Sequence, residues 1–490
     1  MKTDQLTSAF RVILLAMLLI GAADAWGDDR MISMGDSVAP VPFSEFVATG
    51  LRVMDIETVN HEWPTCDYIS SPANAWGKSI ANATKVPGRL RLHSASGVIY
   101  DSGDYISGAK GMTIRIRGNS TAYAKVKPYK IDLQDKADLL MRNNPSLRDK
   151  DWVLIRDIYN QYMLGLEVNR LMKLQWTPSY GYVHLIINDE YQGVYMLAEN
   201  VKRNTNCRLN VSKSGFIFEH DAYWWTTDYS IPSVLYNTMR YTFKYPDEKD
   251  LTAADKAYME QRIKDYETSV LDGTYSTQID VESLARWLLG HDILGMSDAA
   301  GSNRFFTLYD RDSKIVAGNM WDFDSAELNP TMWSRSHRIL LIQFFKSENR
   351  EFVMRFVDAW REMSNELVPQ MNKIFNNYKT SPQGLALQHA CDLENLRWNH
   401  THYLFYNIVT HIDWLTERKT WLDKQVNLLN PQGDANYDGR VDVEDVNTVI
   451  NVILNLNQGG ARGASCDVNG DSRVDVEDVN KQVNIILGIK

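Results

Sequence analysis

Between residues 50 and 200 the apolar positions fall into short runs that alternate with polar ones. The runs stand at 51–56, 90–93, 112–117, 129–133, 152–155, 182–187 and 193–198, with Gly, Asn, Asp and Pro between them. A period of two predicts strands. Asn188-Asp189-Glu190, between the last two runs, predicts a hairpin turn. Residues 159–174 break the pattern with helical spacing. From residue 250 the period lengthens, and 253–270, 281–294, 351–375 and 408–427 read as helices. A β-rich half followed by an α-rich half predicts an α+β fold with two lobes and a cleft.

The N-terminus follows neither pattern. Lys2 and Arg11 precede an unbroken apolar run at 12–23, which ends at Ala23-Asp24-Ala25. The run is too short for the ~20 residues of a membrane span. Its flanks are those of an export signal. The expected organisation is a signal peptide at 1–25, a main domain at 26–430 with its core at about 50–428, and a tail domain at 431–490, joined by a short hinge at Asn430-Pro431-Gln432-Gly433. The mature protein is then secreted or held at the cell surface, with no membrane span.

Composition narrows the function classes. The chain is 44% hydrophobic and 23% charged, which excludes a disordered or collagen-like chain. Its net charge of -10 argues against a nucleic-acid partner. Residues 434–490 hold ten acidic and five basic side chains, so half the excess charge lies there. Such a concentration favours a cation. The four cysteines, Cys66, Cys207, Cys391 and Cys466, fit no zinc spacing. Disulfides and free thiols both stay open for them.

The tail repeats itself. Arg-Val-Asp-Val-Glu-Asp-Val-Asn occurs at 440–447 and again 33 residues later at 473–480. In the first copy Asp434, Asn436, Asp438, Asp442 and Asp445 stand at positions 1, 3, 5, 9 and 12 of a loop, with Gly439 at 6 and Arg440 at 7. In the second, Asp467, Asn469, Asp471, Asp475 and Asp478 take the same places, with Ser472 at 6 and Arg473 at 7. Ca²⁺ takes 6–8 hard oxygens, and position 7 supplies its carbonyl. Apolar helices at 446–454 and 479–487 follow the loops. The duplication resembles a type I dockerin over the whole of 434–490. That resemblance implies two Ca²⁺-binding F-hand loops and a cohesin-bearing scaffold as partner, in a cellulosome-like assembly. Carried over, Val443, Glu444, Val476 and Glu477 meet the cohesin. With Ser472 in place of Gly, the second loop is expected to be the weaker site.

Four segments in the main domain carry candidate chemistry. Arg115-Ile-Arg117-Gly118-Asn119-Ser120-Thr121 is a strand entering a small-residue loop, which lets backbone N–H groups approach phosphate. Lys130 alternates with apolar residues on the next strand, where it can reach phosphate from a cleft wall. Asp298 and Asn303 have four residues between them, the spacing of a base and a metal ligand in a kinase catalytic loop. Asp322, in Trp321-Asp322-Phe323-Asp324, stands where a metal-binding aspartate would. Each motif alone is common, and their order carries the argument.

That order resembles the spore-coat protein H (CotH) kinase-like family. The segments responsible are RIRGNST, KPYKIDL, DKDWVLI, INDEYQGVYMLAEN, HDILGMSDAAGSNRFF and WDFDSAE. The resemblance implies a two-lobed atypical protein kinase using ATP and Mg²⁺ on protein substrates. It assigns Asp298 and Lys130 to catalysis. It assigns Arg117, Gly118, Asn119, Ser120, Lys130 and Glu199 to the nucleotide, and Asn303 and Asp322 to Mg²⁺. Glu219 and Asp221 match an acidic pair of the family, and Glu167 is the expected partner of Lys130. Where members often carry Arg-Asn, this chain has Tyr162-Met163-Leu164, which keeps a non-catalytic module open. A polysaccharide hydrolase also stays open, because 14 Trp and 24 Tyr could line a sugar cleft.

Overall fold

The computed structural model describes residue 28 and residues 30–489 except 236–237, 297–302, 327–328, 335–343, 346–349, 400–401, 457–462 and 472. The signal peptide expected at 1–25 lies outside the described residues. A ribbon of β1 (Met31–Ile32) and β2 (Val41–Pro42) leads into α1 (Phe43–Ala48) and β3 (Val53–Thr58). A hairpin of β4 (Asp67–Ser70) and β5 (Lys78–Ala81) follows. Then come β6 (Val86–Ser94), β7 (Gly97–Asp101), β8 (Met112–Ile116), β9 (Tyr129–Ala137) and β10 (Asp149–Ile155). Helix α2 (Gln161–Leu171) separates these from β11 (Tyr180–Ile187) and β12 (Glu190–Glu199).

Hydrogen bonds run β3-β11-β12-β10-β9-β8-β6, and β6 pairs again with β3. These strands therefore close into a barrel, with β7 attached to β6. Closure leaves no long unpaired edge. The inward residues of each strand fill the barrel, among them Met54, Leu92, Ile114, Ile131, Trp152 and Leu197.

A second antiparallel sheet has the order β14-β15-β13-β16-β17. Its strands are β13 (Phe216–Asp221), β14 (Ile231–Pro232), β15 (Arg240–Tyr245), β16 (Arg304–Leu308) and β17 (Val316–Ala317). Around it lie α3 (Ala253–Leu271), α4 (Val281–Leu294), α5 (Glu351–Thr380), α6 (Pro382–Trp398) and α7 (Leu404–Leu429). Side chains cap the starts of α3 and α4. Thr252 and Asp255 form a capping box, and Asp280 accepts from Ser283 N.

One core joins this helical half to the outside of the barrel. Val153, Ile155, Val194 and Met196 face outward from β10 and β12 and share a cluster with Met163 and Phe323. A buried ion pair fixes the junction. Glu394 of α6 accepts from Arg156, from His402 Nδ1 at 2.9 Å and from Val194 N at 3.2 Å. Burial pushes the Glu394 carboxyl up, but Arg156 and His402 outweigh it and hold it at about 2.

The tail helices α8 (Val443–Ile453) and α9 (Val476–Ile486) each start three residues before the apolar pattern does. Asp442 and Asp475 are their N-caps, and each forms a capping box with the aspartate three residues on. Ala435, Val449, Cys466 and Val468 make a small core between the two repeats. The four cysteines form no disulfide. Among the described residues no helix is long and apolar enough to cross a membrane.

Candidate functional site

The site begins on the outer face of the barrel. Tyr129, Ile131 and Leu133 point inward from β9, so Lys130 and Asp132 point outward. Register places Lys130 between Arg115 of β8 and Val153 of β10. The face is thus apolar where the helical half covers it and charged, with paired cations and carboxylates, beside that contact. Lys130 Nζ lies 2.7 Å from Asp151 and 3.0 Å from Asp132. Lys202 also pairs with Asp151. Burial pushes the Asp151 carboxyl up, yet Asp132, Lys130 and Lys202 hold it well below the usual range. Glu167 does not reach Lys130, contrary to expectation. Its carboxylate pairs with Arg170 and accepts from Tyr180 Oη at 3.1 Å.

Beyond Arg117 the chain turns through Gly118 and Asn119 into a single helical turn, Ser120–Tyr123. The hairpin β4–β5 props this loop. Ser79 donates to Asn119 Oδ1 at 2.7 Å, and Tyr123 Oη donates to Ile69 O at 3.0 Å.

A second cluster of groups stands on the second sheet. Glu219 on β13 accepts from Asn303 N at 2.9 Å through one carboxylate oxygen. Its other oxygen meets Lys244 Nζ at 2.9 Å. Lys244 sits where the β13–β15 register slips, because Ile217 pairs with Tyr245 but Phe218 with Phe243. It is the extra residue of a β-bulge, a device that re-aims a side chain. Its side chain keeps 37% of its surface open, so it can still meet a ligand. Burial lowers the Lys244 pKa, but Glu219 and Asp221 reverse this and keep the ammonium charged. Burial pushes Glu219 up to about 7; Asp221 adds to the rise and Lys244 opposes it.

Asn303 and Asp322 complete the cluster. Asn303 Nδ2 donates to Asp322 Oδ2 at 3.0 Å, and Tyr162 Oη donates to Asp322 Oδ1 at 2.6 Å. Both residues have left-handed backbone, with φ of 63° and 65°. Non-glycine residues held this way gather at functional sites. Burial raises the Tyr162 hydroxyl well above its ordinary value, with Asp322 and Asp324 adding to it, so the phenol stays a donor. Arg117 stands near enough to act electrostatically on both Tyr162 and Lys244.

Two expected residues fare differently. Asp298 lies outside the described residues. Glu199 is 1% exposed, and its carboxylate is occupied by Arg142 at 2.8 Å and Ser179 N at 2.9 Å. Its side chain is a strut at the end of β12, tied to Arg142 and Ser179. Lys244 and Tyr162 are the residues that sequence reasoning did not select.

The chain matches two family profiles in tandem. A CotH kinase protein model matches residues 114–383, more than half of the chain. The chain belongs to the CotH kinase protein family. A type I dockerin domain model matches 432–485. No curated protein matches the chain.

The dockerin loops are near-copies in space as well as in sequence. Asp442 and Asp475 share φ of -146° and ψ of -166°. In loop one, Asp434 accepts from Asp438 N and Gly439 N, and Asp445 accepts from Ala435 N and Asn436 N. In loop two, Asp467 accepts from Asp471 N, and Asp478 accepts from Asn469 N. Asn436 and Asn469 each accept from the aspartate two residues on. Arg440 N and Arg473 N donate to Asp438 and Asp471. Among the described residues no three His, Cys, Asp or Glu side chains gather as a metal cluster. Much of the carboxylate capacity is spent on loop N–H groups. Burial pushes the Asp434 carboxyl up, and Asp445 and Asp438 add to the rise; a cation relieves that repulsion. Ser472 lies outside the described residues. Val443 and Val476 are each 65% exposed, and Glu444 and Glu477 beside them are exposed too.

Proposed function

We propose that this protein is an exported, ATP- and Mg²⁺-dependent protein phosphotransferase of two-lobed, kinase-like build. The observation that carries this is the Asn303–Asp322 pair, held on left-handed backbone, with Arg117 near enough to act on its partner Tyr162. Asn303 and Asp322 offer the hard oxygen donors that suit Mg²⁺, and they would hold it. A bound Mg²⁺ neutralises charge on the phosphate oxygens. Lys130, Arg117 and the backbone of Gly118, Asn119 and Ser120 serve the nucleotide phosphates. Lys244, steadied by Glu219, faces them from the other wall of the proposed cleft and acts on the charge that develops in the transfer.

In the transfer, an acceptor hydroxyl oxygen forms a bond to the terminal phosphorus. The bond from that phosphorus to the bridging oxygen breaks, and the diphosphate leaves. Asp298 takes the acceptor's proton. The test is labelled phosphate transfer to a co-secreted protein. Wild type is expected to transfer and Asp298→Asn to bind nucleotide without transferring. Equal transfer by both removes Asp298 from this role.

One observation favours a second reading, a non-catalytic module. Tyr162 occupies one oxygen of Asp322 at 2.6 Å, in the segment where this chain departs from its family. On that reading wild type transfers nothing, with or without Mg²⁺.

The dockerin supports anchoring. Type I dockerin domains bind Ca²⁺ and imply a cohesin partner. On our reading Asp434, Asn436, Asp438, Arg440, Asp442 and Asp445 form one F-hand site, and Asp467, Asn469, Asp471, Arg473, Asp475 and Asp478 the other. The exposed Val443, Glu444, Val476 and Glu477 then meet the cohesin of a cellulosome-like scaffold outside the cell.

A further inference from the structure

The two calcium loops meet the helical half at the same loop position. Tyr437 and Gly470 are each the fourth residue of their loop. Both take left-handed backbone, with φ of 64° and 78°. Gly470 adopts it freely, but a bulky residue there is an outlier that its surroundings must hold. Tyr437 is only 4% exposed and belongs to the main core, outside the tail's own core. Its hydroxyl donates to Asp358 of α5. The Gly470 carbonyl accepts from Asn365 of α5 at 3.3 Å. Asp358 and Asn365 are seven residues apart, about two turns, and so share a face of the helix.

The linker is bound to the same helix. Arg361, between those two residues, donates to Asn430 O at 2.9 Å and Pro431 O at 3.3 Å. Asn430 is fully buried, and Gln432 donates to Val468 O at 2.7 Å. The expected hinge is therefore a packed seam. A cavity of about 380 Å³ remains beside it, lined in part by Trp360, Asn365, Asp467 and Gly470.

We propose that Ca²⁺ latches the tail onto α5 through Tyr437, linking calcium occupancy to the rigidity of the helical half. The latch rests on the reading of the loops as calcium sites. Asn436 and Asp438 flank Tyr437, so a cation that orders them also orders the tyrosine between them. The linkage runs both ways: whatever holds Tyr437 in its pocket tightens calcium binding in loop one. Val443 and Val476 stay exposed, so the latched tail can still meet a partner.

Hydrogen exchange on the full chain, with Ca²⁺ and with chelator, tests this together with calcium calorimetry. The variant is Tyr437→Gly, which suits the left-handed backbone, keeps every calcium ligand and copies loop two. In wild type, Ca²⁺ is expected to slow exchange across 354–365 about tenfold or more. In Tyr437→Gly the tail still takes up calcium, but that slowing disappears. Equal slowing in both proteins overturns the latch. Calcium uptake without slowing in wild type overturns it too, and leaves the calcium sites standing. No calcium uptake at all removes both.

Discussion

Asn303 and Asp322 hold left-handed backbone because neighbours on both sides fix them. Glu219 binds the Asn303 amide, and Tyr162 and the Asn303 side chain bind the Asp322 carboxylate. Such strain costs on the order of 1–3 kcal/mol per residue and persists only where the surroundings impose it. Asp322→Ala should therefore keep the fold and lower any phosphotransfer by several powers of ten; unchanged transfer would remove Asp322 from the site. Lys244→Met should reduce kcat about 100-fold while nucleotide affinity moves little, because a cation at the far wall acts on developing charge. A fall in affinity with kcat unchanged would make Lys244 a binding residue only. Asn303 and Asp322 were legible in the sequence, since motif order and spacing survive in one dimension. Lys244 was not, because its aim depends on a bulge between strands separated by 18 residues. Tyr162 stood out only as a departure from the family pattern, and that departure sits on the metal-binding candidate.

At the scale of elements, each run of alternating residues became a strand, and the long helical stretches formed within a few residues of expectation. Two features stayed hidden. Closure of the barrel needs β3 to pair with both β6 and β11, and no local pattern encodes that. Helix α6 buries Gly384, Ala386, Leu387, Ala390, Cys391 and Glu394, a face with a single large apolar side chain and a charge, too weak to register as an apolar stripe. Glu394 explains why α6 holds its place, since it neutralises Arg156 in the junction with the barrel. Removing one partner of a buried pair strands the other. Glu394→Gln should thus cost about 3–5 kcal/mol in urea unfolding. A cost below about 1 kcal/mol would show that the pair is dispensable.

The whole molecule should lose stability in acid for a reason visible in its buried histidines. Burial lowers His184 to about 3 and His291 to about 4, so both are neutral in the fold. The unfolded chain protonates its histidines near pH 6.5. Below that pH the unfolded histidines bind more protons than the folded ones, and their contribution to stability falls as pH falls toward the folded values. For His291 the loss by pH 4 is on the order of 3 kcal/mol. Glu394 continues the decline from about pH 4.3 toward 2, because its charged form is the one the fold stabilises. Glu219, held at about 7, and Asp358, raised by burial to about 6, work the other way between about pH 7 and 4.3, because the fold favours their protonated forms. His291→Gln should therefore lose less melting temperature than wild type between pH 7.5 and 5; an equal change in both proteins would contradict the buried neutral histidine.

The central claim is that the protein holds a nucleotide through Mg²⁺ at Asn303 and Asp322. Calorimetric titration of ATP into the full chain, with and without Mg²⁺, tests it most directly. The account predicts binding that requires Mg²⁺ in wild type and weakens at least about tenfold in Asp322→Ala. Absence of binding in wild type, or binding indifferent to both Mg²⁺ and Asp322, would contradict it.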